Sequence, residues 1–166
     1  MMKFYKFKNA PLNSILFSFM LIASFGVQSA HHEGGHSGHQ ENHQDPKSVV
    51  MQAYETFTSG DTDAWAALHS DDLVFTVFGD IASSGKHLGR EAVIQNVFEP
   101  ISVHWPKFKI TPMAYYTDGN MVFVHSKMTA DNLNTETMHM FRVENGIIQT
   151  FTAFDDTDSM AAADVL

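Results

Sequence analysis

The chain contains no cysteine. That excludes disulfides, thiolate nucleophiles, thiolate metal centres and a lipidated cysteine anchor, so the fold must stand on its core alone. Basic residues are scarce as well: 10 Lys and Arg face 19 Asp and Glu, a formal charge of −9. A surface of that sign repels phosphate backbones and anionic lipid, which argues against nucleic-acid and membrane-surface partners. No apolar run reaches the ~20 residues that a membrane-spanning helix requires. Phosphate-cradling glycine loops and nucleophile-elbow motifs are missing too.

What is present starts with a leader. Lys3, Lys6 and Lys8 precede an uncharged, mostly apolar stretch from Ile15 to Val27, and Ser29 and Ala30 follow it. This is the layout of a cleaved signal peptide over residues 1–29. Cleavage after Ser29 places Val27 at −3 and Ser29 at −1, whereas cleavage after Ala30 would place Gln28 at −3, a poorer fit. A periplasmic or secreted protein is expected, without membrane contact once the leader is gone. The mature chain then keeps seven basic residues against 19 acidic ones, a formal −12.

Residues 30–45 carry His31, His32, His36, His39 and His43 among small and polar residues. Such a segment buries too little apolar surface to offset its ordering entropy and is expected to be a disordered tail. Its imidazoles could take up Zn²⁺, Cu²⁺ or Ni²⁺ without fixed geometry. Neither a resident metal nor a cofactor is assigned.

From Asp45-Pro46 onward the pattern is globular. Asp45 caps a helix whose inner face reads Val49, Val50, Ala53, Tyr54 and Phe57, ended by Gly60. Asp61 caps a second helix with Ala64, Trp65 and Leu68. After Ser70-Asp71-Asp72, Leu73 to Phe78 reads as a strand, and Gly79 to Gly89 as a loop with room for a short strand. Arg90 to Glu99 reads as a third helix stopped by Pro100. Strands follow at 108–117, 121–129, 135–144 and 147–156, and the C-terminus beyond 157 reads as frayed or briefly helical. Three helices followed by a curved antiparallel sheet make an α+β domain.

Asn145-Gly146 is the strongest hairpin signal in the chain. A regular two-residue turn pairs 143 with 148, 141 with 150 and 139 with 152. One face then holds Val143, Ile148, Phe141, Thr150, His139, Thr152, Phe154 and Asp156, apolar near the turn and mixed further away, as a small-molecule pocket requires. The other face holds Met138, Met140, Phe151, Ala153, Asp155 and Arg142, and its apolar stripe suits a homodimer interface.

The segments Leu68-His69-Ser70-Asp71-Asp72-Leu73-Val74-Phe75, Gly85-Lys86-His87-Leu88-Gly89-Arg90-Glu91-Ala92-Val93 and Phe141-Arg142-Val143-Glu144-Asn145-Gly146-Ile147-Ile148 occur in an order that resembles the SnoaL-like branch of the NTF2-like superfamily. That group includes polyketide cyclases, limonene-epoxide hydrolase and ketosteroid isomerase. The resemblance spans residues 46–160, leaving 161–166 as a C-terminal tail, and implies a cone with a deep pocket between helices and sheet. Ketosteroid isomerase places a Tyr, an Asp base and a protonated Asp in its pocket. The resemblance puts Ala53, Val77 and His139 at those positions, so the isomerase base is absent. The epoxide hydrolase's Arg and paired Asp set has no counterpart either.

His139 is thus the residue expected to carry proton chemistry, with Asp156 near the pocket mouth. Trp65, Phe75, Val77, Phe98, Trp105, His125, Phe141, Thr152 and Phe154 are the expected ligand contacts. Trp105 reads either as a lid residue or as a plug at the core edge, and His69 as a solvated helix end. Three readings remain open: a SnoaL-like enzyme moving a proton on a small apolar substrate, a periplasmic module that only binds such a ligand, and a metal-handling protein acting through its tail.

Overall fold

The structure is a computed structural model that describes residues 44–166. The expected leader, and the His-rich segment apart from its last two residues, lie outside the described residues.

Helix α1 spans Pro46–Ser59. Asp45 caps it by accepting from Ser48 N at 3.2 Å, Pro46 needs no partner in its first turn, and Gly60 ends it at φ 73°. Helix α2, Thr62–Ala67, is capped by Asp61. Strand β1 covers His69–Val77 and so begins four residues before the expected Leu73. Leu68 O accepts from Ile148 N at 2.9 Å, and His69 pairs with Ile148. The acidic Asp71 and Asp72 therefore ride on an irregular strand instead of breaking it, with a register shift between His69 and Val74. Strand β2 is Gly85–Leu88.

The third helix does not stop at Pro100. Helix α3, Arg90–Val93, runs into a π-helical turn, Ile94–Phe98, and then into α4, Glu99–His104. In that wide turn Glu99 N bonds to Ile94 O, five residues back. Pro100 sits in the first turn of α4, where a missing N–H costs nothing, so the helix passes through.

Strands β3 (Lys109–Asp118), β4 (Met121–Thr129), β5 (Asn134–Glu144) and β6 (Ile147–Asp155) precede a short α5, Thr157–Ala162. The sheet order is β2-β1-β6-β5-β4-β3. Its neighbours are antiparallel except β1 and β6, which run parallel, so the sheet is mixed and not wholly antiparallel as expected. Helix α1 lies against one face, touching β3, β4, β5 and β6. Val49, Val50, Val93, Val122, Val124 and Ile148 between them are fully buried.

The hairpin register follows the turn for two pairs and then departs from it. Asn145 and Gly146 both take positive φ, 51° and 76°. Glu144 pairs with Ile147 and Val143 with Ile148, as the turn dictates. Arg142 then pairs with Thr150, leaving Gln149 as an extra residue, a β-bulge. Beyond it Phe141 faces Phe151, His139 faces Ala153 and Thr137 faces Asp155. Since strand side chains alternate with period two, one extra residue exchanges the faces of the rest of β6. Phe151, Ala153 and Asp155 turn inward, and Thr150, Thr152 and Phe154 outward, the reverse of the regular-hairpin expectation.

Candidate functional site

The inward face of α1 and the concave face of the sheet enclose a cavity of about 80 Å³. Its wall is mostly apolar: Trp65, Phe75, Val77, Phe98, Phe141 and Phe151 all border it. Phe75 and Phe151 stack at 4.0 Å, and Trp65 meets Phe98 edge-on at 4.8 Å.

Into this wall β5 projects His139, 7% exposed. Its Nδ1 lies 2.7 Å from the hydroxyl of Tyr54 on α1, and its Nε2 lies 3.4 Å from Asp155 Oδ1 on β6. Asp155 also accepts from the Thr137 hydroxyl at 2.6 Å. With Asp155 as a carboxylate, which only accepts, the ring proton belongs on Nε2. Nδ1 is then left to accept from Tyr54. Burial pushes the Tyr54 phenol well above its usual pKa, and the nearby Ser126 hydroxyl offsets this only in part. Tyr54 therefore stays protonated and donates to His139 Nδ1. Ser126 Oγ itself is buried and lacks a hydrogen-bond partner among the described residues.

A second imidazole borders the same cavity. His69, expected to be solvated, is 2% exposed. Its ring stacks on Trp65 at 3.9 Å, and Nδ1 lies 2.7 Å from Trp65 O. Burial lowers its pKa to about 4, against a smaller raising effect of the Trp65 carbonyl, with Arg90 adding to the depression. The ring is neutral at ordinary pH.

Five expected site residues lie elsewhere. Asp156 caps α5 through Ser159 N at 3.1 Å and accepts from Thr135 at 2.6 Å, because the bulge gives its inward place to Asp155. Thr152 and Phe154 are on the outer face for the same reason, and Phe154 is 49% exposed. His125 sits on the opposite face of the sheet from His139, with Nε2 2.7 Å from Glu136, so the two rings form no pair. Trp105 is completely buried, and its Nε1 donates to Met160 O at 2.8 Å. It is a plug and not a lid, and it borders a second hollow of about 280 Å³ between α1, α2 and α4. Among the described residues, no group of three or more His, Asp or Glu is arranged to hold a metal ion.

Three residues of the site went unread in the sequence as site groups: Tyr54, Asp155 and His69. The phase of α1 already turned Tyr54 inward, so its hydroxyl had to end in the core or the cavity. In β6 the buried positions change parity between Ile148 and Phe151, which is the mark of a bulge. No comparable signal distinguished His69 from a solvated helix end.

An α+β cone of helices over a concave sheet, with one mainly apolar cavity between them, is the NTF2-like class of domain. Within that class the chain belongs to the SnoaL-like domain family, which it matches over residues 50–151. A comparison with curated protein sequences finds no match. Among solved structures, an NTF2-like protein of unknown function from Burkholderia pseudomallei superposes with a TM-score of 0.65 at 23% identity, covering 73% of this chain and 98% of that one. IdmH, a candidate polyketide cyclase from Streptomyces antibioticus, gives 0.63 at 20% identity, over 72% and 98%. TerC, crystallised with polyporic acid, gives 0.63 at 14%, over 71% and 96%. At these identities the likeness concerns the fold.

Proposed function

We propose that this chain is an exported SnoaL-like domain that binds a small, largely apolar molecule and handles a proton at one of its oxygens through His139. The observation that carries this reading is the Tyr54–His139–Asp155 row in an otherwise greasy cavity. Asp155, held by Thr137, orients the imidazole. The Tyr54 oxygen accepts from a ligand hydroxyl while its own proton goes to His139 Nδ1, so a proton can pass from the ligand through Tyr54 to His139 and back. The crystallisation of TerC with polyporic acid and the assignment of IdmH as a candidate cyclase favour a cyclic ligand. About 80 Å³ is less than the ~150 Å³ of a dry cavity that takes up benzene. Binding a ring therefore requires side chains to move, and the second hollow, which shares Phe57, Trp65, Phe98, Ile101 and Phe108 with the first, offers the space.

The test is mass spectrometry of the small molecule that co-purifies with the protein. Wild type should carry a ligand that Tyr54→Phe and His139→Gln preparations retain at roughly one-tenth occupancy or less, the loss of a hydrogen bond worth ~1.5 kcal/mol. Equal occupancy in all three would remove the row from function. Recovery of the ligand chemically altered after incubation marks an enzyme, and recovery of it unaltered marks a binding module.

Export and pairing of two copies belong to the same proposal. The intact mass of the secreted chain should begin at Ala30. The outer stripe of Met138, Met140 and Phe154 should support a homodimer that Met140→Lys dissociates in sedimentation. A retained leader or a monomeric wild type would contradict these two points respectively.

A further inference from the structure

Besides the Tyr54–His139–Asp155 row, the polar side chains of His69 and Ser83 border the cavity, and His69 stands furthest from the row along β6. His69 opens β1 and pairs with Ile148 on β6, whereas His139 pairs with Ala153 further along the same strand. At ~3.3 Å per residue their backbones stand roughly 15 Å apart, yet both side chains border one cavity. The cavity thus has two polar poles with aromatic walls between them.

The chemistry of the second pole is determined by its partners. A backbone carbonyl only accepts, so the 2.7 Å contact with Trp65 O puts the ring proton on Nδ1. The neutral ring, favoured by burial, then presents Nε2 as a bare lone pair. Arg90, the neighbouring cation, spends its guanidinium on Ala66 O, His69 O and Asp71 and leaves Nε2 alone. Nε2 has no hydrogen-bond partner among the described residues, and Ser126 Oγ is the one fully enclosed side-chain atom there without a partner. Nε2 is therefore unpaired without being fully enclosed, on a side chain that borders the cavity. Trp65, stacked on the His69 ring, and Phe98, edge-on to Trp65, line the approach to it.

We propose that His69 Nε2 is a specificity-determining acceptor that selects ring compounds carrying a hydroxyl or N–H donor at the end remote from His139. The inference rests on the pocket reading above and adds a rule to it: a ligand whose oxygen at this end is methylated leaves the buried acceptor unmatched. A site built around a buried hydrogen-bonding group rejects the analogue that lacks the complement.

The test uses phenol, anisole and toluene, titrated by calorimetry against the full exported chain, its His69→Phe variant and, as a control for the other pole, Tyr54→Phe. Wild type should prefer phenol over anisole by roughly 10-fold or more. In His69→Phe the preference should fall to about unity while toluene still binds, and in Tyr54→Phe it should survive. Should His69→Phe fail to fold, nitrogen-15 spectra of wild-type histidine rings decide: the unprotonated Nε2 of His69 should move with phenol and stay with toluene at equal occupancy. Equal affinities for phenol and anisole in wild type, a preference that persists in His69→Phe, or an Nε2 resonance indifferent to phenol would each overturn the assignment. Toluene bound without discrimination sinks this inference alone, whereas failure to hold toluene at all sinks the pocket reading with it.

Discussion

Lowering the pH from 7 to 4.5 should cost the domain about 2 to 3 kcal/mol of stability through His69 alone. The ring's pKa falls from 6.5 to about 4 on folding because burial beside Trp65 disfavours the imidazolium, and Arg90 adds to the effect. Between those two values the unfolded chain binds a proton that the folded chain refuses. Stability therefore rises with pH through this window and is lost as pH falls through it. His69→Gln keeps a side-chain N–H for Trp65 O and removes the titration. Urea midpoints of wild type and variant should lie close together at pH 4.5 and diverge in favour of wild type at pH 7. Asp164 and Asp156 are held below the usual carboxylate value, Asp164 first by Leu166 N and Asp156 first by Ser159. Their contributions disappear at still lower pH, outside this window. Parallel pH curves for the two proteins would show that His69 is solvated after all.

Deleting Gln149 should leave the domain folded, and replacing it by Ala should change stability by no more than about 0.5 kcal/mol, whereas truncating Phe151 just beyond it should be severe. Gln149 is the extra residue of the β6 bulge, and its side chain makes only a long 3.4 Å contact with Ile147 O. Its contribution is one unit of chain. Without it Thr150 follows Ile148 directly, so Arg142 still pairs with Thr150, Phe141 with Phe151 and His139 with Ala153, now in a regular alternation. The Asn145-Gly146 turn and the inward set of Phe151, Ala153 and Asp155 are both kept. By contrast Phe151→Ala, which empties a buried position, should cost about 3 to 5 kcal/mol. Circular dichroism of the deletion should show a cooperative melt, and that of Phe151→Ala a much lower midpoint. A deletion that does not fold would mean that the bend of the bulge itself, and not the pairing beyond it, holds the sheet.

These two residues also show how far the sequence could be read. Caps and turns are local chemistry, so Asp45, Gly60, Asp61 and Asn145-Gly146 announced helix ends and a hairpin that the structure contains. Helical phase on α1 and the placing of His139 on the cavity side of β5 were legible for the same reason. The far half of β6 was not, because a single extra residue is invisible to a rule that counts outward from the turn. It exchanged Asp156 and Thr152 for Asp155 and Ala153 at the site. Pro100 misled in a related way, since it forbids a regular helix interior yet suits a first turn, and the π-helical turn before it supplies one. His69 depended on tertiary context alone: only the pairing of β1 with Ile148 turns a helix-end histidine into a cavity wall.

The claim on which the functional reading depends is that His139 lies inside the concave face with Tyr54 on one nitrogen and Asp155 on the other. Long-range proton–nitrogen spectra of the histidine rings test it directly. A single tautomer with the proton on Nε2, whose Nδ1 resonance shifts in Tyr54→Phe while that of His125 stays in place, is the predicted result. A His139 ring that exchanges between tautomers like a solvated imidazole, and that ignores the loss of the Tyr54 hydroxyl, would contradict the account.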